Sequence, residues 1–384
     1  MKKKLLALAV LGSLAAPVFA QSNVQIYGVA DAYMRYGQLM GDDLMSVHDG
    51  GIAGSRLGFR GEEDLGNGLK AVFLLEEGYD ISTGKSAYMS GTDSAANSGS
   101  DVFTRQAYVG LKGSFGQVSL GRQYAPGYFA DPYDAFMGGT VGPMADLTTF
   151  GGLTIQPASL ARWNNSVAYN GTFQSVSIAA IYSAGNKETE MAGSSGYDAS
   201  DDDKYGVSLK YDNGPLKLGA IYQGVKFKSR FSGGSYIDSP ADRDETQQDW
   251  LIGAAYNFGV ATVMGLYQKG SDVFGRSDLD VDFWQLGAVV PVGPGNIRLA
   301  YGQEKIDTPS GPDYKPKSFT LGYTQDLSKR TAVYVGYHYT DYDDMPWGTA
   351  LGYGFVAGAN GHSTTTPENM DSTSFAYVGM IHRF

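Results

Sequence analysis

Four histidines, His48, His338, His362 and His382, are the side chains here whose ordinary pKa lies near neutrality, so they are the first candidates for proton relay. A hydrolase would need a nucleophile or an activated water beside one of them. No such motif surrounds any of the four: His48 and His362 fall in long polar segments, His338 and His382 in alternating ones. H-x-x-x-H spacing is absent, and no glycine-rich phosphate loop leads into a helix. With no cysteine in 384 residues, thiol nucleophiles, thiolate zinc sites, iron–sulfur clusters and disulfides are excluded. The acidic clusters Asp201, Asp202, Asp203 and Asp341, Asp343, Asp344 remain, either as ligands for divalent cations or as solvated loop surface. The expectation is a protein that is not an enzyme and uses no cofactor or metal.

The elements that would have to position these groups begin after a leader. Lys2, Lys3 and Lys4 precede an apolar run from Leu5 to Val18, closed by Val18-Phe19-Ala20, which reads as a cleaved signal peptide over residues 1–20. The mature part, 21–384, then carries 26 basic against 40 acidic residues, which argues against nucleic acid as a partner. No later segment offers the ~18 consecutive apolar residues of a helical membrane span. Glycine is abundant, at 53 residues, but follows no three-residue period, so collagen-like and low-complexity readings fail.

From Val24 onward the dominant pattern is period two. Tyr205, Val207, Leu209 and Tyr211 alternate with Lys204, Gly206, Ser208 and Lys210, and the same holds along Trp250, Ile252, Ala254 and Tyr256 and along Val333, Val335, Tyr337 and Tyr339. In a soluble sandwich the apolar face would be the core; in a membrane barrel it meets lipid, and aromatic residues gather near both ends of the apolar runs, as Tyr205 with Tyr211 and Trp250 with Tyr256 do here.

Connections alternate too. Short ones read Asp64 to Asn67, Gly113 to Gly116, Asn170 to Phe173, Asp212 to Pro215, Asn257 to Gly259, Val292 to Gly295 and Asp326 to Lys329, each with the Gly, Asn or Asp a hairpin turn needs. Long polar ones cover about 38–53, 80–100, 125–158, 185–202, 227–246, 271–281, 306–316 and 342–372. Seven short turns and eight long loops join 16 strands, with both termini on the short-turn side. The fold class is therefore all-β: one 16-stranded antiparallel transmembrane β-barrel over 21–384, with long outer loops and short periplasmic turns.

Particular residues strengthen this. Val24-Gln-Ile-Tyr-Gly-Val-Ala-Asp31, the run from Ser55-Arg-Leu-Gly-Phe-Arg-Gly61 to Ala71, Arg105-Gln-Ala-Tyr-Val-Gly-Leu111, Leu120-Gly-Arg-Gln-Tyr124, Asn164-Asn-Ser-Val-Ala-Tyr169, Leu327-Ser-Lys-Arg-Thr331 and the terminal Phe384 resemble the Gram-negative general porin family. The resemblance covers the whole mature chain. It implies an outer-membrane homotrimer through which ions and small hydrophilic solutes diffuse passively, with the third outer loop, about 125–158, folded into the pore. A substrate-preferring channel for sugars or anions on the same barrel is the alternative, since inward-parity tyrosines such as Tyr33 exist.

The resemblance also implies a row of basic wall residues facing acids on that loop, a field that orients solutes and tunes selectivity. Carried onto this sequence, the wall residues are Arg56, Arg122 and Arg162, and the acids are Asp131, Asp134 and Asp146, although the loop departs from the Pro-Glu-Phe-Gly-Gly form of some members. Parity puts Arg56 opposite Leu57 and Phe59, and Arg162 opposite Trp163 and Val167, facing the lumen; Arg35 and Lys70 follow by the same argument. Arg122 shares the face of Val118 and Leu120, so only a bulge would turn it inward, and the parity of Arg105 is undefined. Phe384 resembles the signal read by the barrel-assembly machinery. The acidic loops and the basic constriction oppose one another in ion selectivity, and at a Debye length of about 8 Å the nearer field dominates.

Overall fold

The structure, a computed structural model, describes residues 23–39, 42–86, 102–156, 161–184, 203–226, 229–232, 235–238, 245–309, 311–346 and 369–384. The leader, His362, Asp201, Asp202 and the last two residues of the 125–158 loop lie outside the described residues. Sixteen strands form the wall: β1 (Asn23–Leu39), β2 (Arg56–Gly66), β3 (Leu69–Gly78), β4 (Gln106–Gly113), β5 (Gly116–Tyr124), β6 (Arg162–Phe173), β7 (Val176–Ser183) and β8 (Lys204–Asn213) in the first half. β9 (Leu216–Lys226), β10 (Thr246–Asn257), β11 (Thr262–Ser271), β12 (Asp280–Val292), β13 (Gly295–Asp307), β14 (Lys317–Asp326), β15 (Thr331–Pro346) and β16 (Asn369–Arg383) follow.

Each strand pairs antiparallel with its neighbour in sequence, and β1 closes the ring by pairing with β16 from Val29↔Arg383 to Leu39↔Thr373. A closed ladder satisfies every wall N–H and C=O internally, the condition for crossing hydrocarbon with strands. A seventeenth strand in this sheet, Asp42–Asp49, belongs to the first outer loop: it pairs with the outer half of β1, whose inner half pairs with β2.

Alternation resolves as the membrane pattern. Val207 and Leu209 on β8 and Trp250 and Ile252 on β10 are exposed outward, whereas Ser208 and Leu251 are buried inside. Outward aromatics line up across strands near the outer rim, Tyr222 beside Trp250 and Tyr267 beside Trp284, while Tyr256 meets Phe258 at 4.7 Å at the periplasmic end. These are the two interfacial girdles.

The short turns fall where expected with one exception. Asn67 and Gly68 both take positive φ, 54° and 76°, the two-residue hairpin geometry. The turn expected over Asn170–Phe173 sits instead at Gln174 and Ser175, because the β6–β7 ladder continues to Phe173↔Val176 and Gln174 takes the positive φ of 54°. The Asn170-Gly171 pair misleads because Gly171 serves packing: a Cβ there would lie 2.4 Å from the Tyr169 hydroxyl and 2.9 Å from the Phe173 ring.

At the carboxyl end, the Phe384 N–H donates to the Gly28 carbonyl at 3.1 Å, and the Gly28 N–H to the Phe384 carbonyl at 3.0 Å. The Phe384 ring covers Gly28, where a Cβ would meet it at 2.3 Å. Gly28→Leu is therefore expected to displace the terminal ring at a cost of about 1–3 kcal/mol. It should slow the conversion of the chain to its heat-modifiable folded form on gels, and an unchanged rate would make the ring's seat irrelevant to closure.

The third outer loop folds into the lumen. Its expected irregular course contains two 3-10 turns, Pro126–Phe129 and Asp131–Tyr133, and a helix, α1 (Pro143–Phe150), begun by Gly142 with Pro143 at its first position. The loop's ends meet, Ala125 N–H donating to the Ala161 carbonyl at 2.8 Å. What lets it lie flat on the wall is a track of inward glycines. Tyr133 occupies the space over the paired Gly219 and Gly253, Ala135 sits over Gly287, and α1 begins over Gly302.

Candidate functional site: the basic wall and the inward loop

Across the lumen from this track, the cluster centres on Glu76 of β3. Its register partners, Gly58 on β2 and Gln106 on β4, set it facing inward, and it is buried. One carboxylate oxygen accepts from Arg105 Nε at 2.9 Å and from the Tyr124 hydroxyl at 2.6 Å, and the other from the Tyr27 hydroxyl at 2.7 Å. Arg105, also buried, extends Nη2 to the Tyr128 hydroxyl at 2.6 Å. Tyr128 stacks on Tyr124 with ring centroids 3.7 Å apart. Arg105, Arg56 and Arg162 all act on the Tyr128 phenol electrostatically. Three guanidiniums thus gather at the Tyr124–Tyr128 stack, where Glu76 pairs with Arg105 and lies within electrostatic reach of Arg56.

Arg56 stands on the inward face opposite Val29 of β1, its Nε donating to the Gly54 carbonyl. Arg162 arrives by a different route from the one parity predicts. Asn165 has a φ of 46°, and the register with β5 slips between Gly121↔Ser166 and Gln123↔Trp163. This bulge turns Trp163 inward, where it is completely buried, and sets Arg162 beside Tyr124, its guanidinium 6.0 Å from the ring centroid. Arg162 Nε is buried with no hydrogen-bond partner among the described residues.

Arg122 departs from the expected row. It pairs with Ala107 on the face of Leu120, and its guanidinium bonds the Thr104 carbonyl and Asn164 Oδ1. Arg35 is on the inward face but higher, bonding Ser46 of the rim strand and lying 5.7 Å from the Phe375 ring. Lys70 lies at the periplasmic mouth, bridging with Lys112 to Glu62. Eight residues of β2 separate Arg56 from Asp64, the partner of Lys70, roughly 26 Å along the strand. Between these levels a recess of about 490 Å³ is lined by Gln25, Arg60, Tyr108 and Gln117.

The loop acids are disposed differently from the wall-facing row expected. Asp131 is exposed beside Lys210, whose amine donates to the Phe129 carbonyl at 2.5 Å. Asp134 is buried against the far wall, accepting from Phe136 and Gly138 N–H and from Gln285 at 2.7 Å. Burial raises its carboxyl above the usual range, although those donors and Arg298 pull the other way. Asp146, on α1, meets Thr340 of β15 and lies 3.3 Å from His338 Nε2. Two of the three acids therefore fasten the loop, and the third answers Lys210.

A second inward segment, 50–55, clamps the loop's middle. Asp31 of β1 accepts Ile52 and Ala53 N–H at 2.8 Å each and the Tyr334 hydroxyl. Thr140 in turn donates to the Gly50 carbonyl at 3.0 Å and meets the Tyr33 hydroxyl at 3.3 Å. Tyr33 is inward, as parity expects, but covered at 2 % exposure, so it offers no surface to a solute. Sequence reasoning passed over Glu76, Tyr124, Tyr128 and Asp31. Glu76 and Asp31 carried a signal, as carboxylates at inward parity, the one beyond Val72 and Leu74 and the other on the face of Tyr33 and Arg35.

A closed barrel with outward girdles, a polar interior and a loop drawn across it defines a channel of an outer membrane. The family model described as Gram-negative porin matches residues 7–345. Outer membrane porin protein 32 of Delftia acidovorans is 35% identical over 347 residues, covering 87% of this chain and 88% of that one. An outer membrane porin protein of Bordetella pertussis is 28% identical over 384 residues, 87% of this chain and 93% of that one. Among solved structures, the anion-selective porin from Comamonas acidovorans aligns with a TM-score of 0.71 and 28% identity over 95% of this chain and 100% of that one. The chain belongs to the Gram-negative porin family. It is an outer-membrane porin, a water-filled pore for passive diffusion of ions and small hydrophilic solutes, and its relatives are channels rather than enzymes.

Proposed function

We propose that this porin is a homotrimer whose pores prefer anions, with the selectivity set where Arg56, Arg105 and Arg162 face the loop of about 125–158. One observation carries the reading: three guanidiniums gather at the Tyr124–Tyr128 stack around Glu76, which pairs with Arg105 and acts on Arg56, while Asp134 and Asp146 are spent on holding the loop to the opposite wall. The net positive field is therefore left to the lumen. The solved relative named for anion selectivity supports the same sign.

Within this reading Arg35 extends the positive surface toward the outer mouth, Arg122 reinforces the field from beside the wall, and Lys70 belongs to the periplasmic exit. Asp131 tempers the cluster from the loop tip. Residues 1–20 direct export and are removed, leaving 21–384 as the barrel. Phe384 presents the last strand to the assembly machinery, and the acidic outer loops meet lipopolysaccharide. We propose no catalytic step, and His338 serves as a strut, bonded to Thr320, Thr340 and the Val141 carbonyl.

Bilayer current under a KCl gradient tests the reading. Trimer closure in three equal steps and a reversal potential of anion sign are expected. Arg56→Gln should lower the anion-to-cation permeability ratio about fivefold, since one charge about 8 Å from the ion through water favours an anion and disfavours a cation by a factor of about 2.3 each. An unchanged reversal potential would remove Arg56 from the selectivity site.

A further inference from the structure

We propose that Tyr128 is the residue that grades the pore's anion preference, by holding or releasing a negative charge inside the arginine cluster. The inference rests on the anion-preferring reading and goes one step further, naming a titratable determinant of selectivity on the loop itself.

The geometry begins with the saturation of Glu76. Tyr124 and Arg105 occupy one of its oxygens and Tyr27 the other, so the carboxylate beside Tyr128 is already engaged. Tyr128 meets the cluster as an acceptor, receiving Arg105 Nη2 at 2.6 Å, while its ring is held by Tyr124 at 3.7 Å and by Phe129 edge-on at 5.6 Å. Its oxygen is thus fixed where a negative charge is compensated and the phenolic proton is not.

Among the described residues, the elements packed on this turn of the loop add no competing anion close by. β8 carries Lys204 and Lys210 on its inward face, and Lys210 lies 5.3 Å from the Phe129 ring centroid. β9 contributes Gln223, which accepts from Gly127 N–H, and β7 ends in Ser183. Asp203, before β8, accepts from Tyr182 at 2.6 Å, and Asp131, further along the loop, faces Lys210.

Burial raises the Tyr128 phenol, but Arg105, then Arg56 and Arg162, more than offset it and bring the group down to about 8. An acid whose folded pKa is depressed contributes stability that is fully present above its free value and is lost as pH falls through the folded value. The docked turn is therefore held most firmly at alkaline pH. There the cluster has also lost one unit of net positive charge, and the proton has gone to solvent.

The test is the reversal potential of the full trimer in a KCl gradient from pH 6 to 9.5, for the wild type and for Tyr128→Phe, which keeps the stacked ring. The wild type is expected to lose about fivefold in anion-to-cation permeability ratio across pH 8, by the one-charge reasoning above. In a Lys210→Arg background, which keeps the charge beside Phe129 fixed over this range, Tyr128→Phe should hold its pH 6 ratio throughout this step. A difference absorbance titration at 295 nm should show one tyrosinate forming near pH 8 in the wild type and missing in the variant. A wild type that is flat, or a variant that titrates alongside it, overturns the assignment. The pH 6 ratio, where Tyr128 is neutral, separates the two readings. Anion preference there with no step leaves the pore reading standing and Tyr128 refuted; no anion preference there with a Tyr128-dependent step does the reverse.

Discussion

A Gly253→Val porin is expected to keep its barrel and lose the seat of its constriction loop. A Cβ at this position would lie 2.4 Å from Tyr133 Cγ and 2.9 Å from its Cβ, and a ring packed at its root cannot swing clear as the tip of a flexible side chain would. The ring is also held from the other side of the slot, where Gly219 would place a Cβ 2.0 Å from its hydroxyl. Overpacking of this kind costs about 3 kcal/mol. The wall is a continuous hydrogen-bonded ladder while the loop rests on local contacts, so the loop should yield first, moving into the lumen. Single-channel conductance should fall and open-channel noise should rise, with heat-modifiable gel mobility retained. The double variant Tyr133→Ala with Gly253→Val should restore quiet conductance, because the clash is pairwise. Quiet, wild-type current in Gly253→Val alone would show that the loop's position does not depend on this slot.

Glu76→Gln is expected to affect stability and selectivity together. Glu76 and Arg105 are both nearly inaccessible, at 3 % and 4 % exposure, so removing the carboxylate leaves a guanidinium buried without its counter-charge, at a cost of about 3–5 kcal/mol. Glutamine retains one acceptor oxygen but presents an amide donor toward Tyr27, Tyr124 and Arg105, all of which donate to Glu76. The thermal midpoint should drop. The cluster also gains one unit of net positive charge, so the anion-to-cation ratio should rise about fivefold, opposite in sign to Arg56→Gln. A lower midpoint with an unmoved reversal potential would mean that permeating ions do not pass within reach of Glu76.

The barrel was legible because membrane burial imposes a rule at every position of every strand. Period-two alternation on β8, β10 and β15 and the turn residues from Asn67 to Gly293 repeat the same message, and one false turn, at Asn170, cannot disturb the count. Parity also placed Arg35, Arg56 and Lys70 on the inward face. It misplaced Trp163 and gave the wrong route to Arg162, because a single bulge residue, Asn165, moves one strand by a step and no pattern in its composition announces this. The loop acids were found as residues but not as roles: whether Asp134 faces an ion or Gln285 depends on where a chain of some thirty residues comes to rest.

What the sequence by itself determined is the architecture: strand number, the alternation of short turns with long loops, and the presence of arginines along one wall. The strand number and the connections follow from local periodicities that the bilayer enforces residue by residue, and the arginine row from the resemblance to the family. Only the tertiary structure decided the site, since Glu76, Arg105, Tyr124 and Tyr128 come from separate segments and meet only when the loop lies across the lumen on its glycine track. The field at a constriction is a sum over charges a few ångströms apart, and those separations are set by packing between segments that no local pattern relates.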